Sequence, residues 1–184
     1  MEREEAMKVA AAFVLGASLV LLAVLSLFVF FPSYFSYPCA VEPVFSPNAE
    51  PEVLSFISSA SETLDVEMYV FTYDKVAEAL ANASKRGVRV RVILEKRLDD
   101  NSANQRNFDY LRANGVDVRW ASFSYKLTHS KFLVADRKRV LVGSINFSNS
   151  ALNSNREAAV IFECPSVEEF VHAFETDWGK GSAS

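Results

Sequence analysis

Apolar and polar positions divide the chain near residue 31. Val9 to Phe31 is a run of 23 residues without a charge, interrupted only by Gly16, Ser18 and Ser26. As a helix it spans about 35 Å at about 1.5 Å per residue, enough to cross a bilayer core of about 30 Å. A cleaved signal peptide is the rival reading, but its apolar core usually runs to about 7–15 residues. No small-x-small site follows promptly, and Phe31-Pro32-Ser33-Tyr34-Phe35 has the aromatic character of a membrane-interface belt. The pattern predicts a flank over 1–8, a transmembrane anchor over 9–31, a link over 32–39 and one folded domain over 40–180.

Within that domain the periods are short. Ala40 to Phe45 predicts a strand. Pro51 followed by Val53, Leu54, Phe56, Ile57 and Ala60 predicts an amphipathic helix. Leu64 to Phe71 reads as a buried strand whose Glu67 is expected on an exposed face or an edge. A helix over Val76 to Arg86 ends at Gly87. Val88 to Leu94 alternates as a strand with a partly wet face. Ser102-x-x-Gln105 suits a capping box for a helix carrying Phe108 and Leu111 and ending at Asn114-Gly115. Val116 to Trp120 is the next strand, and Ala121 to Thr128 is a rim loop. Lys131 to Ala135 and Val140 to Val142 form two strands joined by a turn. Glu157 to Phe162 is another strand, and Ser166-x-x-Glu169 is expected to cap a last helix with Phe170, Val171 and Phe174 on one face. Helices alternating with strands imply an α/β fold, a mixed and largely parallel sheet with helices on both faces.

Composition adds charge to this picture. The net charge of −4 conceals 14 Lys/Arg against six Asp/Glu between Lys85 and Arg139. A basic middle favours a polyanionic substrate. Arg3 and Lys8 precede the apolar run, and the next basic residue after it is Lys75. By the positive-inside rule the domain lies outside the cytoplasm, a cytoplasmic-facing domain being the alternative. Cys39 and Cys164 allow either one disulfide in an oxidising compartment or two unpaired thiols.

The candidate chemistry lies between His129 and Asn146. His129 and Lys131 project from the same side of an extended strand. An imidazole there can act as nucleophile or proton carrier, while the Lys131 ammonium and Asn146 amide neutralise phosphoryl oxygens. Tyr125 and Lys126, on the rim loop, are candidate substrate contacts. No cluster of His, Cys or carboxylates stands at ligand spacing, so neither metal nor cofactor is expected. His172, the other histidine, falls beside the apolar stripe of the last helix and reads as structural.

His129, Lys131, Asp136, Gly143, Ser144 and Asn146 match H-x-K-x4-D-x6-G-S-x-N, and by this the chain resembles the phospholipase D superfamily. Glu157, eleven residues past Asn146, resembles the acidic residue that follows the motif in that family's small nucleases. The resemblance implies a phosphodiesterase working through a phosphohistidine. Ser144 would add a hydrogen bond near the phosphate and Glu157 would orient the imidazole. Asp136 is expected to organise its turn rather than touch substrate. One motif supplies one imidazole, whereas cleavage needs a nucleophile and an acid on opposite sides of phosphorus. A homodimer sharing one site is therefore expected. A membrane-anchored endonuclease acting on DNA or RNA is the leading reading. A phospholipase D or cardiolipin hydrolase acting on phospholipid is the alternative, and an inactive nucleic-acid-binding protein the third.

Overall fold

The computed structural model describes residues 2–30, 39–98 and 102–183. The chain forms two units, Met1–Pro38 and Cys39–Ser184. The first contains helix α1 (Glu2–Phe30), whose stretch Arg3–Ser26 is long and apolar enough to cross a membrane by length and composition. The residues of the expected aromatic belt, 31–35, lie outside those described.

The second unit is one seven-stranded sheet with helices on both faces. In chain order it contains β1 (Ala40–Phe45), α2 (Glu50–Ser59), β2 (Thr63–Met68), α3 (Asp74–Lys85), β3 (Arg89–Leu94), α4 (Ser102–Ala113) and β4 (Asp117–Trp120). Then follow β5 (Lys131–Ala135), β6 (Arg139–Gly143), α5 (Asn149–Asn153), β7 (Ala158–Glu163) and α6 (Val167–Lys180). The strand order is β1-β7-β6-β5-β2-β3-β4. Parallel pairing is confined to β2–β3–β4, where α3 and α4 supply the crossovers that parallel neighbours require. The other four pairs are antiparallel, so the sheet is mixed with a smaller parallel share than the helix–strand alternation suggests. The reason is local: β5 and β6 are joined by a tight turn, and only the one-and-a-half-turn α5 separates β6 from β7.

Side-chain alternation sorts the core. Leu64, Val66 and Met68 of β2, Val90, Val92 and Leu94 of β3, and Leu133 and Ala135 of β5 face the larger cluster, which also holds apolar side chains of α2, α3 and α4. Ile93, Phe132, Val134 and Val140 face the smaller cluster, formed with Val167, Val171 and Phe174 of α6. That second face corrects two expectations. The partly wet side of β3 is covered, with Arg91 only 6% exposed. Glu67, expected at an edge, is buried at 1% on a strand with neighbours on both sides.

Arg91 is tolerable there because it is fully paired. Its guanidinium donates to both Asp65 oxygens at 2.7 and 2.9 Å and to Glu175 of α6 at 2.7 and 3.1 Å, and it stacks on Phe174 and Trp178. β2 ends at Met68 rather than Phe71, because Phe71 leaves the sheet to bridge Phe147. Ser166 makes no capping bond, so the expected box at α6 is not formed. Cys39 and Cys164 are joined as a disulfide, closing the open alternative.

Candidate active site

One end of the sheet gathers the motif apart from Asp136. Antiparallel pairing sets Lys131, the first residue of β5, opposite Met68, the last of β2. Gly143, the last of β6, pairs with Ala159 at the start of β7. The β2 C-terminus, the segment before β5, the β6 exit and the β7 start therefore share one rim.

His129 is exposed, and its ring packs on Tyr69 with centroids 4.3 Å apart. Lys131 is buried at 7%. Its ammonium lies 3.3 Å from His129 Nδ1, donates to the His129 carbonyl at 2.8 Å, and sits 5.2 Å from the Tyr69 ring centre. The strand parity that puts residues 129 and 131 on one side is thus realised. Burial lowers the Lys131 pKa, while the nearby Glu157 charge acts in the opposite direction. Asn146 Oδ1 accepts from the Val70 amide at 3.3 Å, which fixes the side chain and leaves its Nδ2 as the donor toward a ligand.

Ser144 and Glu157 form a pair, the hydroxyl donating to the carboxylate at 2.5 Å, with Asn155 Nδ2 adding a bond at 3.2 Å. Ser46, fully buried, sets this corner: its Oγ accepts from the Glu157 amide at 2.9 Å and donates to the Asn155 carbonyl at 2.7 Å. The bond from Glu157 to the imidazole expected from the sequence is not made within one chain. Glu157 takes Ser144 and Asn155, and His129 Nδ1 meets Lys131.

Gly143 is required by closeness. A Cβ there would overlap the Ala158 carbonyl and Ala159, so only glycine lets β6 lie so near β7.

Asp136 stands at the other end of β5 from His129. Its carboxylate accepts from the Ser61, Glu62 and Thr63 amides at 2.7 to 3.1 Å and from the Ser61 hydroxyl at 2.9 Å. Burial alone would raise its pKa, but these donors outweigh it and hold the carboxyl below its ordinary value. A strand length from the imidazole, Asp136 braces the turn and cannot share a ligand with it. Tyr125 is likewise engaged, donating to Asp177 of α6 at 2.9 Å and accepting from Lys180 at 2.9 Å. Lys126 is exposed. His172 is exposed on α6.

Sequence reasoning missed the layer that holds this rim. Glu95 has no exposed surface and accepts from the Thr128 amide and the Arg97 amide, each at 2.7 Å. The Arg97 guanidinium closes on the same carboxylate at 2.7 Å. Burial opposes the Glu95 charge, and these bonds nonetheless lower its pKa. Asn104 donates to the Tyr69 and Glu95 carbonyls, both at 2.9 Å, and accepts from the Phe71 amide at 2.7 Å. The available signal was Glu95-x-Arg97 at the end of a buried strand, an acid and base spaced to pair in place.

The basic middle of the chain is only partly at this rim. Arg89 begins β3 and Arg137 to Arg139 turn between β5 and β6, all at the opposite end of the sheet. Among the described residues no group of three or more His, Cys, Asp or Glu is gathered as a metal ion would need.

Comparison with known proteins agrees with this geometry. The family described as cardiolipin synthase, PLD-like domain, matches residues 53–178. The chain is 30% identical to the mitochondrial cardiolipin hydrolase of Danio rerio over 151 residues, which are 82% of this chain and 64% of that protein. It therefore spans less than two thirds of that relative. It is 32% identical to the Xenopus laevis protein of the same name, over 75% of this chain and 70% of that one. The solved structure of Nuc, a phospholipase D family member from Salmonella typhimurium, superposes with a TM-score of 0.73 at 30% identity, covering 78% of this chain and 97% of that one. Motif, sheet and matched length lead to one conclusion: this chain belongs to the phospholipase D-like family.

Proposed function

We propose that this protein is a membrane-anchored, metal-independent endonuclease that cleaves DNA or RNA in a homodimeric site. The observation that carries phosphodiester chemistry is the convergence of His129, Lys131, Asn146 and the Ser144–Glu157 pair on one end of the sheet. One His129 attacks phosphorus through Nε2 and the bond to the leaving oxygen breaks, while the partner's His129 protonates that oxygen. The partner's His129 then takes a proton from water, which attacks the phosphohistidine and frees the first imidazole. Lys131 and the Asn146 amide bind the non-bridging oxygens as charge develops there. With Nδ1 accepting from the Lys131 ammonium, His129 is the neutral Nε2–H tautomer, whereas protonating the leaving oxygen needs the imidazolium, with a proton on Nδ1 as well. The nucleophilic role needs the other tautomer. Glu157, unbound to its own imidazole, is available to hold Nδ1–H of the partner's His129.

Nucleic acid is favoured over lipid by the basic middle of the chain, which brings Lys126 and Lys131 to the rim and its loop. The disulfide favours an oxidising compartment, as the positive-inside reading does. A second reading, hydrolysis of phospholipid, is favoured by the names of the relatives and by exposed Phe123 and Leu127 on the rim loop. Incubation with labelled single- and double-stranded DNA and RNA, and separately with cardiolipin and phosphatidylcholine vesicles, all in EDTA, decides between them. Chelator-resistant polynucleotide cleavage without lipid turnover is the expected result, and the reverse overturns the nuclease reading.

A further inference from the structure

Glu67 has no part in the chemistry above, yet it lies directly beneath it. It is 1% exposed on β2, flanked in register by Ile93 of β3 and Phe132 of β5 and covered by α6. Ser130, between His129 and Lys131, has the opposite strand parity to both. Its side chain therefore turns toward α6 while theirs face the rim. There the Glu67 carboxyl comes within electrostatic reach of the Ser130 hydroxyl and the Asp177 carboxyl of α6, without a hydrogen bond to either. One Glu67 oxygen, Oε2, has no hydrogen-bond partner. The neighbouring charges are otherwise engaged. Asp65, Arg91 and Glu175 satisfy one another, and Asp177 accepts from Tyr125, which in turn accepts from Lys180.

Two neighbouring carboxyls cannot both ionise cheaply. Asp177 is nearer solvent and already takes the Tyr125 hydroxyl. Glu67, desolvated and without a cation of its own, keeps the proton. That proton also supplies the bond that Oε2 lacks. Burial accordingly raises the Glu67 pKa to about 7.

We propose that Glu67 is a positioning residue for His129: as a neutral acid it can donate to Asp177 and accept from Ser130, tying the segment that carries the imidazole to helix α6. When the proton is lost, two carboxylates face each other across the interface between β2 and α6. The tie through Ser130 then loosens. The inference rests on the phosphodiesterase reading and is indifferent to the natural substrate.

The test compares the parent with Glu67→Gln, which stays neutral and keeps both a donor and an acceptor, and with Glu67→Leu, which keeps neither. With bis(p-nitrophenyl) phosphate over a range of about pH 5 to 9, the parent should lose kcat steeply on the alkaline side, as two groups titrate. Glu67→Gln should match it in acid and show an alkaline midpoint about one unit higher, with a single-proton slope. Glu67→Leu should lose about tenfold in kcat at unchanged KM. Thermal unfolding gives a readout that needs no turnover. The folded pKa lies above the ordinary 4.5, so the stability due to this proton is complete below about 4.5 and is lost as pH rises through about 7. The parent's Tm should therefore fall relative to Glu67→Gln across that window. With two histidines in the chain, the His129 imidazole resonance can be followed through the same titration. It should show a second inflection that Glu67→Gln abolishes. Superposable pH–rate, Tm and imidazole curves for parent and Glu67→Gln would overturn the proposal. A Tm difference in a parent that hydrolyses no diester would instead count against the phosphodiesterase reading.

Discussion

At the scale of single residues, position along one strand separates chemistry from architecture. His129 and Asp136 belong to the same motif and flank the same strand, β5, at opposite ends. Replacing His129 by Ala should lower diester hydrolysis about ten-thousand-fold while leaving Tm unchanged, since the ring is exposed. Asp136→Ala should do the reverse. It abandons three backbone amides and the Ser61 hydroxyl, so chemical unfolding should show a loss of about 3 kcal/mol with kcat kept in the protein that remains folded. The pH dependence follows from the same bonds. A carboxyl held below its ordinary 3.8 stabilises the fold at pH above that value, and the stabilisation is lost as pH falls through the lower, folded value. Acid unfolding of Asp136→Asn should therefore show a shallower fall than the parent's in that window.

At the scale of elements, what was legible in the sequence was whatever has a period or a spacing. The strands around His129 and Gly143 and the apolar faces of the helices repeat at intervals that name their geometry. The joint placement of His129 and Lys131 follows from parity alone. The supporting layer has no such repeat. Glu67, Glu95 and Asn104 are polar residues in or after apolar strands, and a linear reading assigns such residues to water. Only the folded sheet shows that α6 covers one and that the rim segments close over the others. Gly143 illustrates the same limit: the motif names the glycine, whereas only the structure shows a neighbour too near for a methyl group. Gly143→Ala should force β6 from β7 and cost about 2 kcal/mol by chemical unfolding. Because Ser144 and Glu157 sit on those two strands, the rate should also drop, a loss that a remote destabilising change would not produce.

At the scale of the whole molecule, the proposed shared site would make activity depend on pairs. If parent and His129→Ala chains are unfolded, mixed in equal amounts and refolded, only dimers with two intact imidazoles cleave. Activity should fall to about a quarter of the undiluted parent's rather than to the half that independent monomers give. The way the chain enters its catalytic unit bears on a different property. With α1 held in a membrane, as proposed, tension would reach the unit at Cys39, next to an edge strand bonded on one side only. Through the bridge to Cys164, most of that pull passes straight to the β7–α6 junction, and the β1–β7 ladder is spared from opening one rung at a time. Reduction would remove the bypass, and drag on the membrane would then peel β1 from its Ala40 end toward Ser46 and the corner that seats Glu157.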